Sequence, residues 1–93
     1  MAADVVRLPA SVTFASAPEV LEAVWRPVSA GARDLDLSGC AAFDSALIAV
    51  LLELGRRAAA AGGPACRVLN PPPNLRNLAA LYGVDGLLLD QRD

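Results

Sequence analysis

The residues best suited to chemistry in this chain are Asp44 and Ser45, an acid and a hydroxyl at the leading edge of the apolar run AAFDSALIAVLLEL, residues 41–54. A serine nucleophile needs an adjacent base of suitable pKa. The chain contains no histidine, and all eight of its basic residues are arginines, so neither an imidazole nor a lysine amine is available. The carboxylates of Asp44 and of Asp36, which is expected to project from a strand into solvent, are unsuitable bases. The pattern favours a binding or modification site over an enzyme.

The composition also argues against metal, nucleotide and nucleic-acid binding. Cys40 and Cys66 lie far apart without a CxxC spacing, and they are predicted to be buried reduced thiols rather than a disulfide or a metal site. The chain has no glycine-rich phosphate loop, so no bound cofactor is expected. A net charge of −2 gives no attraction for nucleic-acid phosphates or for an anionic membrane surface.

Length and hydropathy predict one small domain. The 93 residues are expected to form a single unit, residues 1–93, with an aliphatic core, because 55% of them are hydrophobic and only 4% are aromatic. The segment MAADVVRLPA has no basic start followed by an apolar stretch, so it is not expected to be a signal peptide. The longest apolar run, residues 46–52, is too short to span a bilayer. We therefore expect a cytoplasmic protein without direct membrane insertion.

Alternating strands and helices are predicted along the chain. Short strands are expected at residues 5–8, 12–14, 33–38 and 66–69, and the third shows the clearest alternation of polar and apolar side chains. Residues 87–89 are predicted to add a final strand or an apolar tail. This order indicates an α/β fold with parallel strand pairs and with helices packed on the sheet.

Two of the predicted helices have recognisable ends. The first is expected to begin at Ser16, with Glu19 bonding back to it in a capping box, and to bend or end at Pro27. The last is expected to begin at an Asn74 cap and to end at Gly83. Both helices place an apolar face towards the predicted core.

The longest helix is predicted to run from Ser45 to about Ala61, before a Gly-Gly-Pro sequence. At about 100° per residue, its side chains divide into two faces. The face expected to pack on the sheet comprises Leu47, Val50, Leu51, Leu54 and Ala58. The opposite face comprises Ser45, Ala49, Leu52 and Arg56, with Ile48 on the flank between. Such an outward apolar stripe is either a protein interface or a surface covered by the terminal tail or another helix.

Two aromatic residues and two arginines on the predicted helices are expected to have structural roles. Trp25 and Tyr82 lie on apolar helical faces and are predicted to be in the core. Arg56 and Arg57 are expected on the solvated surface, within one helical turn of Glu53. Both could pair with Glu53, or Arg56 could reach an acidic partner.

Asp44 is predicted to be the N-cap of the longest helix. Its carboxylate can accept backbone N–H groups and suits the positive end of the helix dipole. Ser45 then lies in the first turn, where its free hydroxyl could contact a partner or carry a phosphate close to exposed N–H groups. A plain Asp-Ser cap with no further role is the alternative.

The order of elements resembles that of the STAS domain, the fold of bacterial anti-sigma-factor antagonists, over nearly the whole chain. The segments that carry this resemblance are VTFASAPEVLEAV, LDLSGC, FDSALIAVLLEL and NLRNLAALYGVDGLL. Within that group, the segment PPNLRNLAALYGVDGLL is most similar to MlaB-type subunits of the Mla phospholipid ABC transporter. The resemblance implies a mixed sheet of four or five strands with helices stacked mainly on one side.

This resemblance implies a non-enzymatic regulatory or assembly subunit. In MlaB-type proteins the corresponding turn and helix dock onto the cytoplasmic ATPase subunit, of MlaF type, within a complex that includes a permease and serves outer-membrane lipid asymmetry. The protein would then be peripheral to the inner membrane through that complex. The implied partner-binding residues are Asp44, Ser45, Ala46, Ile48, Ala49, Leu52 and Arg56.

The same turn implies an alternative function. In anti-sigma-factor antagonists, a partner serine kinase phosphorylates the hydroxyl residue directly after the Asp, and that position is Ser45 here. The chain would then be an antagonist switched by phosphorylation of Ser45. Antagonists usually have a Gly shortly after this serine, whereas this chain reads Asp44-Ser45-Ala46-Leu47. That departure favours the transporter interpretation.

Overall fold

The computed structural model describes residues 5–89, which contain five short strands. They are β1 (Val5–Arg7), β2 (Ser11–Val12), β3 (Asp34–Asp36), β4 (Ala42–Phe43) and β5 (Arg67–Leu69). The strands predicted near residues 5–8, 12–14, 33–38 and 66–69 are present but shorter, and β4 was not predicted. A two-residue strand carries too little alternation to be recognised from sequence.

The strands form two parallel ladders. In the first, β3 lies between β1 and β5, and Leu35 at its centre pairs with Val6 on one side and Val68 on the other. In the second, β2 pairs with β4 and places Val12 opposite Phe43. The predicted α/β fold class with parallel pairing is confirmed. Every strand pair within residues 5–89 is parallel, whereas the resemblance implied a mixed sheet.

Four helices complete the described part of the chain. They are α1 (Ala17–Ser29), α2 (Ser45–Ala60), α3 (Pro73–Leu81) and the single-turn α4 (Asp85–Leu88). Helix α2 has almost the predicted bounds. Residues 87–89 lie in and directly after α4, so neither the strand nor the plain tail predicted there forms.

The predicted capping is correct in position at α1 and wrong at α3. Ser16 is the N-cap residue of α1 but makes no side-chain cap bond, because its Oγ instead accepts the N–H of Thr13 at 3.1 Å. Pro27 does not end α1, which continues to Ser29. At α3 the N-cap residue is Pro72, and Asn74 lies inside the helix. The C-terminal prediction is confirmed: Gly83 has a φ of 72°, the left-handed conformation that suits glycine after a helix.

The core lies between the strands and the helices α1, α2 and α3. All five side chains predicted to face inwards from α2 are buried, and three of them, Leu47, Leu54 and Ala58, are 0% exposed. Helix α1 contributes Val20, Val24 and Val28, and α3 contributes Leu75 and Ala79. Aliphatic side chains form this core, as the composition predicted.

None of the helices within residues 5–89 has the length and apolar character needed to cross a membrane.

The two cysteines are free thiols. Cys40 is buried and Cys66 is partly buried, and burial raises the pKa of both. Cys40 is buried as predicted, whereas Cys66 was also predicted to be buried but is only partly so.

Candidate partner-binding site

Asp44 is the N-cap residue of α2 and lies at one end of the site. Its Oδ1 accepts the backbone N–H of Ala46 at 2.8 Å, so the predicted N-cap is confirmed. The carboxylate also complements the partial positive charge of the helix N-terminus. Ser45, the first residue of α2, therefore lies in the first turn of a capped helix, where it is partly exposed.

The same carboxylate holds a second element in place. Its Oδ2 accepts the backbone N–H of Phe14 at 3.2 Å, across thirty positions of sequence. Phe14 belongs to the turn between β2 and α1, where its side chain is 71% exposed. Asp44 therefore joins this turn to the start of α2, and both oxygens of its carboxylate are used.

An open groove of about 350 Å³ runs along the outward side of α2. Its floor comes from α2, and its remaining lining comes from the turn after β2 and from the segment between α3 and α4. The lining residues are Phe14, Ser45, Ile48, Ala49, Leu52, Tyr82 and Val84. None of them is charged, and the polar groups of their side chains are the two hydroxyls of Ser45 and Tyr82. The groove is thus a neutral, mainly apolar surface.

The structure separates the predicted site residues into exposed and buried ones. Ala49 is exposed, while Ser45 and Leu52 are partly exposed, and all three line the groove. Ala46 is 2% exposed and Ile48 is 4% exposed, so their expected place on an open contact face is corrected. Ala46 lies beneath the surface because the first turn of α2 packs inwards, and Ile48 forms part of the groove floor.

Arg56 lies beyond the groove and is held by Glu53. Its Nε and Nη2 donate to the two carboxylate oxygens of Glu53 at 2.9 and 2.6 Å. Arg57 donates to Glu53 at 2.9 Å and to Glu22 of α1 at 3.2 Å, with its guanidinium 5.6 Å from the ring centre of Trp25. Both arginines therefore pair with Glu53, as their spacing in the sequence allows. Trp25 is partly buried against the core under this cation.

The Glu53 cluster predicts an acid-sensitive contribution to stability. Hydrogen bonds from Arg56 and Arg57 lower the pKa of Glu53 from 4.5 to about 2. Since the folded-state pKa is depressed, the contribution is complete above about pH 4.5 and is lost as the pH falls through about 2. We expect Glu53→Gln to melt below the wild type at pH 7, and we expect the difference in Tm to shrink below pH 4.5 and to disappear only below about pH 2. A difference in Tm that is independent of pH would contradict this assignment.

Asp36 does not assist Ser45. Its Oδ1 accepts the backbone N–H of Ser38 at 2.9 Å and the Nδ2 amide of Asn70 at 3.1 Å. These bonds, with that of the Ser38 backbone as the largest cause, lower the pKa of Asp36 and make it a weaker base. The described residues also contain no cluster of three or more side chains suited to hold a metal ion.

A second and larger cleft, of about 640 Å³, lies where β3 and β5 end. Its walls include Phe43, Ser38 and the proline run that precedes α3, Pro71–Pro73. Its described lining carries no charged side chain, and it does not include Ser45. The cleft is therefore separate from the first turn of α2, and the polar side chains in its lining are those of Ser38, Asn70 and Asn74.

Two aromatic residues of the groove, Phe14 and Tyr82, were not predicted to belong to the site. Tyr82 was predicted to be in the core but is 58% exposed, because α3 ends at Leu81 and no longer continues the apolar face. Phe14 was assigned to a strand, but β2 ends at Val12 and the chain turns. The sequence signal that could have identified them is the low aromatic content of the chain. Because only 4% of the residues are aromatic, an aromatic side chain beside a turn is unusual here.

Comparison with known proteins identifies the family. The family model described as "Mlab, STAS domain" matches residues 1–90. No curated protein and no solved structure gives a significant match. The match covers nearly the whole sequence, including the turn at Asp44 and Ser45 and all residues that line the groove. The chain therefore belongs to the STAS domain family, whose members are generally non-enzymatic binding or regulatory domains of the anti-sigma-factor-antagonist type.

Proposed function

We propose that this protein is a non-enzymatic regulatory or assembly subunit that binds the cytoplasmic nucleotide-binding ATPase of a phospholipid-transporting ABC complex of the Mla type. The observation that carries the proposal is the neutral groove along α2, headed by Ser45 and lined by Ala49 and Leu52, in a STAS chain whose matching family is described as Mlab. The complex would include a permease and would keep the protein at the cytoplasmic side of the inner membrane.

The surface chemistry of α2 supports a docking role. A helix on the surface of a small domain normally turns charged residues outwards, but the first two turns of α2 present a hydroxyl, an alanine and a leucine. Its charged residues, Glu53 with Arg56 and Arg57, follow only in the third and fourth turns and pair with one another. An apolar surface bounded by paired charges is typical of a protein interface.

The proposed partner-binding residues are those that the groove exposes. Ser45, Ala49 and Leu52 would contact the ATPase directly, and Ile48 would support them from the floor. Asp44 fixes the turn, Ala46 anchors it in the core, and Arg56 lies at the far end of the same side of α2, where it could extend the contact.

The test is capture of the purified ATPase subunit by the wild-type protein and by two variants. Leu52→Asp places a carboxylate in the apolar groove, and Ser45→Glu places one at its head, so each is expected to weaken binding at least tenfold because a charge would be buried without a partner. Binding is measured by titration, and the ATP hydrolysis of the reconstituted complex is recorded in parallel.

Leu81→Asp is the matched control, because Leu81 is 83% exposed and does not line the groove. It should bind as the wild type does. Circular dichroism must show that all three variants remain folded. A wild-type protein that binds no ATPase, or binding unchanged by both groove variants, would refute the proposed function.

One observation favours the second candidate, an anti-sigma-factor antagonist switched by phosphorylation of Ser45. Among the hydrogen bonds found in residues 5–89, none uses the Ser45 hydroxyl, and the side chain is partly exposed at a helix N-terminus. A serine kinase could therefore reach it. Mass spectrometry of the protein from its natural host distinguishes the two: a phosphate on Ser45 together with a bound serine kinase would favour the antagonist.

A further inference from the structure

Two exposed aromatic side chains border the groove. Phe14 is 71% exposed and Tyr82 is 58% exposed, and they reach the groove from two elements that are distant in sequence from α2. Large aromatic residues are the commonest anchors of binding energy in protein interfaces. Two of the four aromatic residues of this chain are thus exposed beside one groove. This arrangement indicates that they take part in binding.

The charges around the groove restrict what can occupy it. Its described lining has no ionised side chain, and the carboxylates of Asp44 and Glu53, which adjoin Ser45 and Leu52 in sequence, are already bonded to N–H donors. A charged segment would lose its hydration in the groove without gaining a partner. The occupant should therefore present apolar side chains.

The shape of the floor favours a helical occupant. Ser45, Ile48, Ala49 and Leu52 are spaced i, i+3, i+4 and i+7, which covers about 10 Å along α2. The backbone of α2 is bonded internally, so an extended segment laid along it would find no strand edge for its own N–H and C=O groups. A helix satisfies its own backbone and can place apolar side chains at matching intervals in such a groove.

We infer that the groove receives the apolar face of a partner helix between Phe14 and Tyr82, and that Asp44 is a positioning residue that holds Phe14 in place for it. This inference rests on the proposed function and specifies the part of the ATPase that binds. The carboxylate of Asp44 does two things at once: Oδ1 caps α2, and Oδ2 fixes the backbone of the turn that carries Phe14.

Asp44→Asn separates these two roles. Asparagine is as good an N-cap as aspartate, but its side chain has a single acceptor oxygen. In wild-type protein the two N–H groups use different oxygens of Asp44, and in the variant an NH2 donor replaces one of them. When the remaining oxygen accepts the N–H of Ala46, the NH2 group meets the N–H of Phe14, and that bond is lost. We expect the fold to persist and the turn at Phe14 to lose its fixed position.

The experiment measures the affinity of the purified ATPase for the wild type and for four variants, of which three are single and one is double. Phe14→Ala and Tyr82→Ala are each expected to weaken binding about tenfold or more, as the loss of an aromatic anchor does. Asp44→Asn is expected to weaken it about threefold to tenfold. Added to Phe14→Ala, it should cause no further loss, since it acts through a side chain that is already missing.

A readout without the partner tests the positioning role separately. In the free protein, Asp44→Asn should speed amide hydrogen exchange at Phe14 while leaving exchange in the middle of α2 unchanged. Leu81→Ala, also an exposed apolar residue but outside the groove, should alter neither affinity nor exchange.

The outcomes distinguish this inference from the function on which it rests. If Leu52→Asp abolishes ATPase binding while Phe14→Ala and Tyr82→Ala bind as the wild type does, the proposed function survives and the aromatic anchors are wrong. If Asp44→Asn and Phe14→Ala add independently, or exchange at Phe14 is unchanged, the role of Asp44 is wrong. If the wild type binds no ATPase, both proposals fail together.

Discussion

Replacing Leu54 with Ala is expected to remove a large fraction of the stability of this protein. Leu54 is 0% exposed in the middle of α2, on the face that packs into the core. A buried Leu→Ala change costs about 2–5 kcal/mol, through the lost burial and the cavity that remains. Domains of this size are typically stable by only about 5–15 kcal/mol, and a loss of about 3 kcal/mol would lower Tm by roughly 12–24 °C.

The matched control is Leu81→Ala, the same chemical change at a side chain that is 83% exposed. It should change the free energy of unfolding by less than about 0.5 kcal/mol. Urea and thermal unfolding, followed by circular dichroism, compare the two variants with the wild type. Equal losses for both would mean that α2 does not pack against the core through Leu54.

The sequence predicted the framework of the fold because long elements carry redundant signals. Helix α2 has sixteen residues, and its period places five separate apolar side chains on one face. Gly83 ends α3 as expected, because a residue with φ of 72° has little alternative to glycine. Where many residues agree on one pattern, an error at one position does not change the prediction.

The sequence did not predict features that depend on contacts between distant segments. Ser16 looked like a helix cap, but its hydroxyl bonds to Thr13 in the turn before the helix. Ile48 lay on the flank of a helical wheel, but it belongs to the buried core cluster, against which Val84 also packs. The short ladder between β2 and β4 depends on the carbonyl of Ala10, which accepts N–H groups from both Ala41 and Ala42.

The features of the site also fall into those that local sequence predicts and those that depend on distant contacts. The cap at Asp44 and the outward position of Ala49 follow from local rules of helix geometry. The bond from the N–H of Phe14 to Asp44 joins residues thirty positions apart, and no local pattern encodes it. The groove was therefore predicted as one stripe on a helix, whereas three separate segments of the chain form it.

Ala49→Glu is expected to abolish binding of the ATPase while leaving the protein folded. Ala49 is exposed at the centre of the groove floor, between Ser45 and Leu52. A glutamate there can extend into solvent in the free protein, and its helix propensity is close to that of alanine, so stability should change by less than about 0.5 kcal/mol. In the complex, the carboxylate would occupy the space of the partner helix and would be buried without a counter-charge, so we expect a loss of affinity of a hundredfold or more.

Ala59→Glu makes the same substitution at another exposed position of α2, outside the groove, and it separates an effect of the groove from an effect of charge. Titration with the purified ATPase should give wild-type affinity for this control, and both variants should melt within a few degrees of the wild type. Because Ala49 contributes almost nothing to the core, its variant tests the surface more cleanly than Leu52→Asp does. If Ala49→Glu binds as tightly as Ala59→Glu, the outward side of α2 is not where the partner docks.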